Sequence, residues 1–397
     1  MRIVQTVFGV FHHFELAREL HRRSHLQRIY STWPWRRLQR EGLPRELVQT
    51  FPWLQLAEHV AQRAPSPLRR LADPLGYANA LAFDRFTLRQ LQRLDQPPDA
   101  LIGISGSSLL TGQWLQQNGG VFLCDRGSSH ARFQQDILRE EFVRWGLPNP
   151  PSDPRDTARE EAIYAQADAI VVPSTFAAQS FLEHGIAPEK LHILPYGVRL
   201  EAFHPTATPD PNTFEVLFAG YASLRKGLPY LLEAFANLSH PHKALRIAGN
   251  FGPEGNALFA RLPTTNVERL GSLPTEQLAE VMSRSHALVL PSVEDGFGLV
   301  LPQAMACGAV PVATTHTGAA DLYTDGVEGF IVPPRDPAAL TQRLQQLADS
   351  PVLHQQMSTA ALSRAHALGG WSSYGDRWEQ LLHSLTGASS QAKARSS

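Results

Sequence analysis

The sequence holds only two cysteines, Cys124 and Cys307, too few for a disulfide framework or a thiolate zinc cluster. It has no apolar run near the roughly 18 residues that a membrane span needs. It also lacks charge of one sign: 36 Lys and Arg stand against 37 Asp and Glu, a net charge of -1. A global attraction to nucleic acid or to anionic lipid is therefore excluded, although a local patch is not. Lysine itself is scarce, with only Lys190, Lys226, Lys243 and Lys393. The N-terminal MRIVQTVFGVFHH lacks a basic region followed by a small-residue cleavage site. It reads as a strand entering a fold, and a cytoplasmic location is expected.

What is present suits two domains. At about 150 residues per domain, 397 residues exceed one ordinary core, and 43% hydrophobic residues can fill two. Short Val- and Ile-rich runs alternate with helical stretches: Ile3–Phe8, Leu26–Tyr30, Ala100–Ile104, Val121–Cys124, Ala169–Val172 and His192–Leu194. Buried strands separated by helices indicate βα units and a parallel sheet. Residues 33–80, broken by several prolines, are expected to form loops and short helices. The Pro-rich segment from Phe203 to Thr213 reads as a linker. The alternation then restarts at Phe214–Phe218, Ala244–Ile247, Val267–Leu270, Ala287–Leu290 and Val310–Ala313. The expected organisation is α/β: two doubly wound domains, 1–204 and 213–370, a terminal helix at 371–385 packing back on the first, and a frayed tail at 386–397. Ligands of such sheets bind at the carboxyl ends of the strands, here in the cleft between domains.

Two clusters carry chemistry. In the segment from Phe218 to Leu228, a strand ends, Gly220 follows, and Arg225 and Lys226 precede a helix start. Two cations beside free helix N–H groups can receive a phosphate or diphosphate; a solvated basic turn is the plainer alternative. The segment from Pro291 to Gly308 places Glu294 and Asp295 before the turn Gly296-Phe297-Gly298-Leu299 and sets Gln303 on the next helix. Carboxylates accept hydrogen bonds from sugar hydroxyls, and an amide both donates and accepts. A plain turn would not need acids, glycines and a polar helix residue together.

These segments resemble the nucleotide-sugar-dependent retaining glycosyltransferases of family 4. The matches are Ile193-Leu-Pro-Tyr-Gly-Val198, Phe218-Ala-Gly220, Arg225-Lys-Gly227, Leu290-Pro-Ser292, Asp295-Gly-Phe-Gly298, Gln303-Ala-Met-Ala-Cys-Gly308 and Asp325-Gly-Val-Glu-Gly329. They are specific over residues 190–340 and weaker before. The resemblance implies the GT-B fold, with two Rossmann-like domains facing across a cleft, acceptor side first and donor side second. It implies Arg225 and Lys226 on the donor diphosphate, Asp295 on the donor sugar and Gln303 on the ribose, with no metal and no cofactor besides the donor substrate. The family has glutamate at both of the latter positions. Aspartate is shorter and Gln303 is neutral, so a nucleotide-sugar-binding or scaffold protein of little activity is the second reading. A nicotinamide oxidoreductase is a third, opposed by the missing G-x-G-x-x-G after Phe8.

In the first half, Ser128 and Ser129 are expected to cap a helix, with His130 near its first turn and, by the resemblance, beside the donor sugar and acceptor. Arg126 is expected either to bind an acceptor anion or to pair with Asp125. Gly9, His12 and His13 follow the first strand on the acceptor side. As a metal pair the two histidines are discounted, because no Cys or carboxylate near them in sequence completes a set. Arg18–Arg45 is basic and contains Trp33 and Trp35, with Trp53 nearby. Contact with an anionic membrane surface or a lipid-linked acceptor is one reading, and ordinary solvated helix faces are the other. No nucleic-acid partner is expected, and nothing in the sequence fixes an oligomeric state.

Overall fold

The computed structural model describes residues 1–63, 72–148 and 153–396. Among the described residues, thirteen strands form two sheets. The first comprises β1 (Ile3–Val7), β2 (Leu26–Ser31), β3 (Val48–Thr50), β4 (Ala100–Ile104), β5 (Val121–Asp125), β6 (Ala169–Val172) and β7 (Leu191–Ile193). The second comprises β8 (Phe214–Ala219), β9 (Lys243–Ala248), β10 (Val267–Gly271), β11 (Ala287–Leu290), β12 (Val310–Thr314) and β13 (Phe330–Val332). Their orders are β3-β2-β1-β4-β5-β6-β7 and β10-β9-β8-β11-β12-β13. Each named strand pair is parallel.

Burial follows position in the sheet. The inner strands β5, β6, β11 and β12 are buried along their whole length. That is why they read as unbroken apolar runs: helices cover both faces. The edge strands β7 and β10 are only partly covered.

Residues 33–80 differ from expectation. Helices Trp53–Arg63 and Ala72–Leu91 frame this region, and the second is 20 residues long. Pro74 sits in its first turn, where a missing N–H costs little. Residues 64–71, which include Pro65 and Pro67, lie outside the described part.

The chain crosses between domains twice. The first crossing follows β7. The second leaves helix Pro351–Leu368 and enters helix Trp371–Ser396. The crossings touch: a Cβ on Gly197 would lie 2.5 Å from the carbonyl group of Gly370, so only glycine fits there. The last helix places Trp371, Tyr374, Trp378, Leu381 and Leu382 in the core of the first domain. It runs on to Ser396, past the expected fraying point. No described helix is long and apolar enough to cross a membrane.

Candidate active site

The carboxyl ends of both sheets face one cleft of about 690 Å³. From the first domain come Phe11 and His12 after β1, Ile104 and Ser105 at the end of β4, and Asp125 to Ser128 after β5. From the second come Ala219 and Gly220 after β8, Arg225, Lys226, Asp295 and Phe297 to Val300. Tyr196 and Trp371, from the two crossings, complete the wall.

On the second domain the expected groups converge. Lys226 Nζ contacts Asp295 Oδ2, and Arg225 Nε donates to Glu294 Oε2 at 2.6 Å. Asp295 faces the cleft, whereas Glu294 points away from it. Glu294 is fully buried and reaches the first domain, accepting from Ser129 N at 3.1 Å, Ser129 Oγ at 2.8 Å and Gln134 Nε2 at 2.8 Å. Burial alone would raise its carboxyl pKa. The Arg225 charge and these hydrogen bonds outweigh burial and hold it at about 2. Glu294 is thus a clasp between domains and does not line the cleft. Gly296 serves the same junction: a Cβ there would lie 2.2 Å from Gly127 O, and its own carbonyl accepts from Ser174 Oγ at 2.6 Å. Asp321 ties to the first domain as well, accepting from Thr175 N at 2.9 Å. Gln303 is half-buried on helix Val300–Ala306, one turn beyond the cleft-lining Val300. The His316 ring does not line the cleft: its Nδ1 bonds Val293 O at 2.8 Å and it stacks on Phe176, while its backbone carbonyl accepts from Asp295 N at 3.0 Å.

On the first domain several expectations are corrected. His130 is buried and absent from the cleft wall. Its own Nδ1 caps helix Ala131–Arg144 by accepting from Arg132 N at 3.2 Å. The ring packs against Tyr164, Phe181 and His184. Burial, then the neighbouring His184, push its pKa down to about 4. Ser129, expected to be the cap, is committed to Glu294 instead. Arg126 does line the cleft, but it pairs with Glu160 at 2.7 Å, not with Asp125.

Asp125 belongs to the two histidines. His12 Nε2 lies 2.9 Å from its Oδ2, and His13 Nε2 lies 3.2 Å from the same oxygen. A carboxylate therefore does join this pair, contrary to the sequence argument, because β5 lies two strands from β1 and its end returns beside helix His12–Arg22. Of the two rings, only His12 hydrogen-bonds that oxygen; His13 Nε2 lies close to it without a hydrogen bond. Burial, and then His12, push the His13 pKa down to about 3, so this ring is neutral. Burial would raise the Asp125 pKa, but the two histidines bring it below the ordinary carboxylate value. His12 lines the cleft, while His13 is fully buried and Gly9 packs under Trp33.

Sequence reasoning missed Asp125 and Tyr196 as cleft residues. Tyr196 stacks on His12 at 4.3 Å and meets Phe297 edge-on at 5.1 Å. It lies in the quoted Pro-Tyr-Gly segment, which was its only signal. The Arg- and Trp-rich stretch is largely self-paired: Arg18 with Glu15 and Glu41, Arg23 with Glu19, Arg37 over Trp33 and Arg45 over Trp35.

A family model described as "Glycosyl transferase 4-like domain" matches residues 12–197, and one described as "Glycosyl transferases group 1" matches residues 201–364. D-inositol 3-phosphate glycosyltransferase 1 of Catenulispora acidiphila is 31% identical over 248 residues, covering 56% of this chain and 59% of the relative. The MMP alpha-(1->4)-mannosyltransferase of Mycolicibacterium hassiacum is 28% identical over 212 residues, 52% of this chain and 51% of the relative. The chain thus spans between half and three fifths of the length of these relatives. Sucrose-phosphate synthase of Thermosynechococcus elongatus has a similar fold, with a TM-score of 0.72 at 20% identity, covering 98% of this chain and 100% of that one. HepE of Anabaena, solved in complex with UDP, gives 0.68 at 15% identity over 97% and 100%. Two family models in the expected order, and a two-sheet fold shared over nearly the whole chain, lead to one assignment: the chain belongs to the family 4 glycosyltransferases with the GT-B fold.

Proposed function

We propose that the protein is a retaining glycosyltransferase. It moves a sugar from a nucleoside-diphosphate sugar to a hydroxyl acceptor, which is a glycan, a lipid-linked molecule or a small molecule. The observation that carries this reading is the Arg225–Lys226 pair at the cleft, with the Asp295 carboxylate against Lys226. As the donor bond breaks, negative charge grows on the leaving diphosphate. Fixed cations in a cleft stabilise that charge without reorganisation, which is commonly the largest catalytic contribution. A diphosphate competes with Asp295 for Lys226 and frees the carboxylate for donor hydroxyls. With two side chains supplying the positive charge, the reaction needs no divalent metal. The acceptor attacks from the face that the diphosphate leaves, and the anomeric configuration is kept. The names of the matched relatives, an inositol phosphate glycosyltransferase and a mannosyltransferase, support a hydroxyl acceptor.

The test is a screen of the purified protein with UDP-, GDP- and ADP-sugars, followed by proton NMR of fresh product. Binding of one nucleotide and retention of the anomeric configuration are expected. No binding to any nucleoside diphosphate would sink the assignment, and inversion would refute the stereochemistry. Asp295 and Gln303 in place of glutamates favour one second reading, a donor-binding protein with little turnover. Tight donor binding without transfer or hydrolysis would support it.

A further inference from the structure

We infer that Gln134 is a positioning residue for glycosyl transfer, fixing the guanidinium of Arg225 from the opposite domain. This rests on the transferase reading above and adds to it a residue outside the cleft wall. Gln134 sits half-buried in the first turn of helix Ala131–Arg144. A helical side chain leans toward the N-terminus, here back to Ser128. Gln134 Nε2 donates to Glu294 Oε2 at 2.8 Å and to Ser128 Oγ at 3.4 Å. Arg225 grips the same two oxygens: its Nε donates to Glu294 Oε2 at 2.6 Å and its Nη2 to Ser128 Oγ at 3.2 Å. Two donors of one planar guanidinium on two held oxygens set the plane of the fork. Gln134 spans those oxygens and keeps them in place.

The amide suits this place by its polarity. Arg126 lines the cleft from the first domain and only donates; its Nη2 donates to Gln134 Oε1 at 3.2 Å. Glu294 is ionised, with its pKa held at about 2, and only accepts. A group that meets both must accept on one side and donate on the other. An amide does so, and a carboxylate or a thioether does not. Both cleft arginines are thus tied to one side chain across the domain boundary. During transfer the bond from the anomeric carbon to the diphosphate oxygen breaks, and its electron pair leaves with the diphosphate. The acceptor oxygen bonds the same face of that carbon, and its proton passes to the leaving phosphate. A guanidinium already held in plane meets the developing charge without reorganising. Gln134 therefore acts on the rate more than on ground-state binding.

The experiment compares wild type, Gln134→Met and Gln134→Asn, with UDP-glucose, GDP-mannose and ADP-glucose as donors and water as acceptor. Nucleoside diphosphate release at saturating donor is read beside titrations with UDP, GDP and ADP and melting curves. Methionine keeps the volume without the hydrogen bonds, and asparagine keeps the amide but falls one methylene short. Each variant should slow release about tenfold or more, with nucleotide affinity within about twofold of wild type. In an Arg225→Lys background, Gln134→Met should cost less than about twofold further, because the fork it aligns is gone. If Gln134→Met does not fold, Gln134→Asn decides the same comparisons. Wild-type release in the folded variants overturns the inference alone. So does a loss matched by an equal loss of nucleotide affinity, or one that recurs in full on Arg225→Lys, since either reduces Gln134 to a structural tie. A wild type that releases no nucleoside diphosphate from any donor overturns the transferase reading and this inference together.

Discussion

Lys226 and Arg225 are neighbours with different partners, and the difference sets what each substitution does. Lys226 holds Asp295, which lines the cleft, so water can replace its amine. Lys226→Ala should lower turnover about 10- to 100-fold, the loss of one charge-assisted phosphate contact of about 1.5–3 kcal/mol. It should shift the melting temperature by no more than about 4 °C. Arg225 neutralises the fully buried Glu294. Arg225→Ala strands that carboxylate and should cost about 3–5 kcal/mol of stability besides turnover; Arg225→Lys should be milder in both. Steady-state kinetics beside thermal melts separate the two residues. Glu294 also predicts an acid limb. Its folded pKa of about 2 lies below the usual 4.5. The stability it contributes is therefore full above 4.5 and is lost as pH falls through about 2. Urea midpoints over that window should fall for wild type and fall less for Glu294→Gln. Arg225, Lys226 and Asp295 were legible in the sequence because loop chemistry after a strand is local. The roles of Glu294, His130 and Asp125 were not, because burial and cross-domain partners decide them.

Elements repeat that division. Strands β4, β5, β6, β11 and β12 were plain as apolar runs. Helix Ala72–Leu91 was obscured by Pro74, which read as a breaker but occupies the first turn. The last helix shows its stripe of Trp371, Tyr374, Trp378 and Leu381 at helical spacing, although its partner lies at the opposite end of the chain. Trp378→Ala should remove about 3–5 kcal/mol from the first domain, seen as a lower urea midpoint. The donor loop is equally constrained. Gly296→Ala puts a methyl 2.2 Å from Gly127 O, so the domains must separate for it to fit. Small-angle scattering should show a larger radius of gyration, with turnover lost and each domain still folded.

At the scale of the whole molecule, two α/β domains with strand ends facing one cleft followed from the alternation and the Pro-rich linker. Their clasp did not. Glu294 with Ser129 and Gln134, Gly296 with Ser174, and Asp321 with Thr175 join residues more than 100 apart in sequence. This clasp closes the cleft around Lys226 on one side and His12 on the other, and it gives the cations a sheltered anion to find. The most direct measurement is calorimetric titration of UDP, GDP and ADP into wild type and Lys226→Ala under equal salt. Saturable binding of one nucleotide to wild type is expected. In Lys226→Ala the affinity should be weaker by less than the loss of turnover, because charge on the diphosphate peaks in the transition state. No heat with any of the three, or equal binding and equal turnover in both proteins, would contradict a diphosphate at this loop.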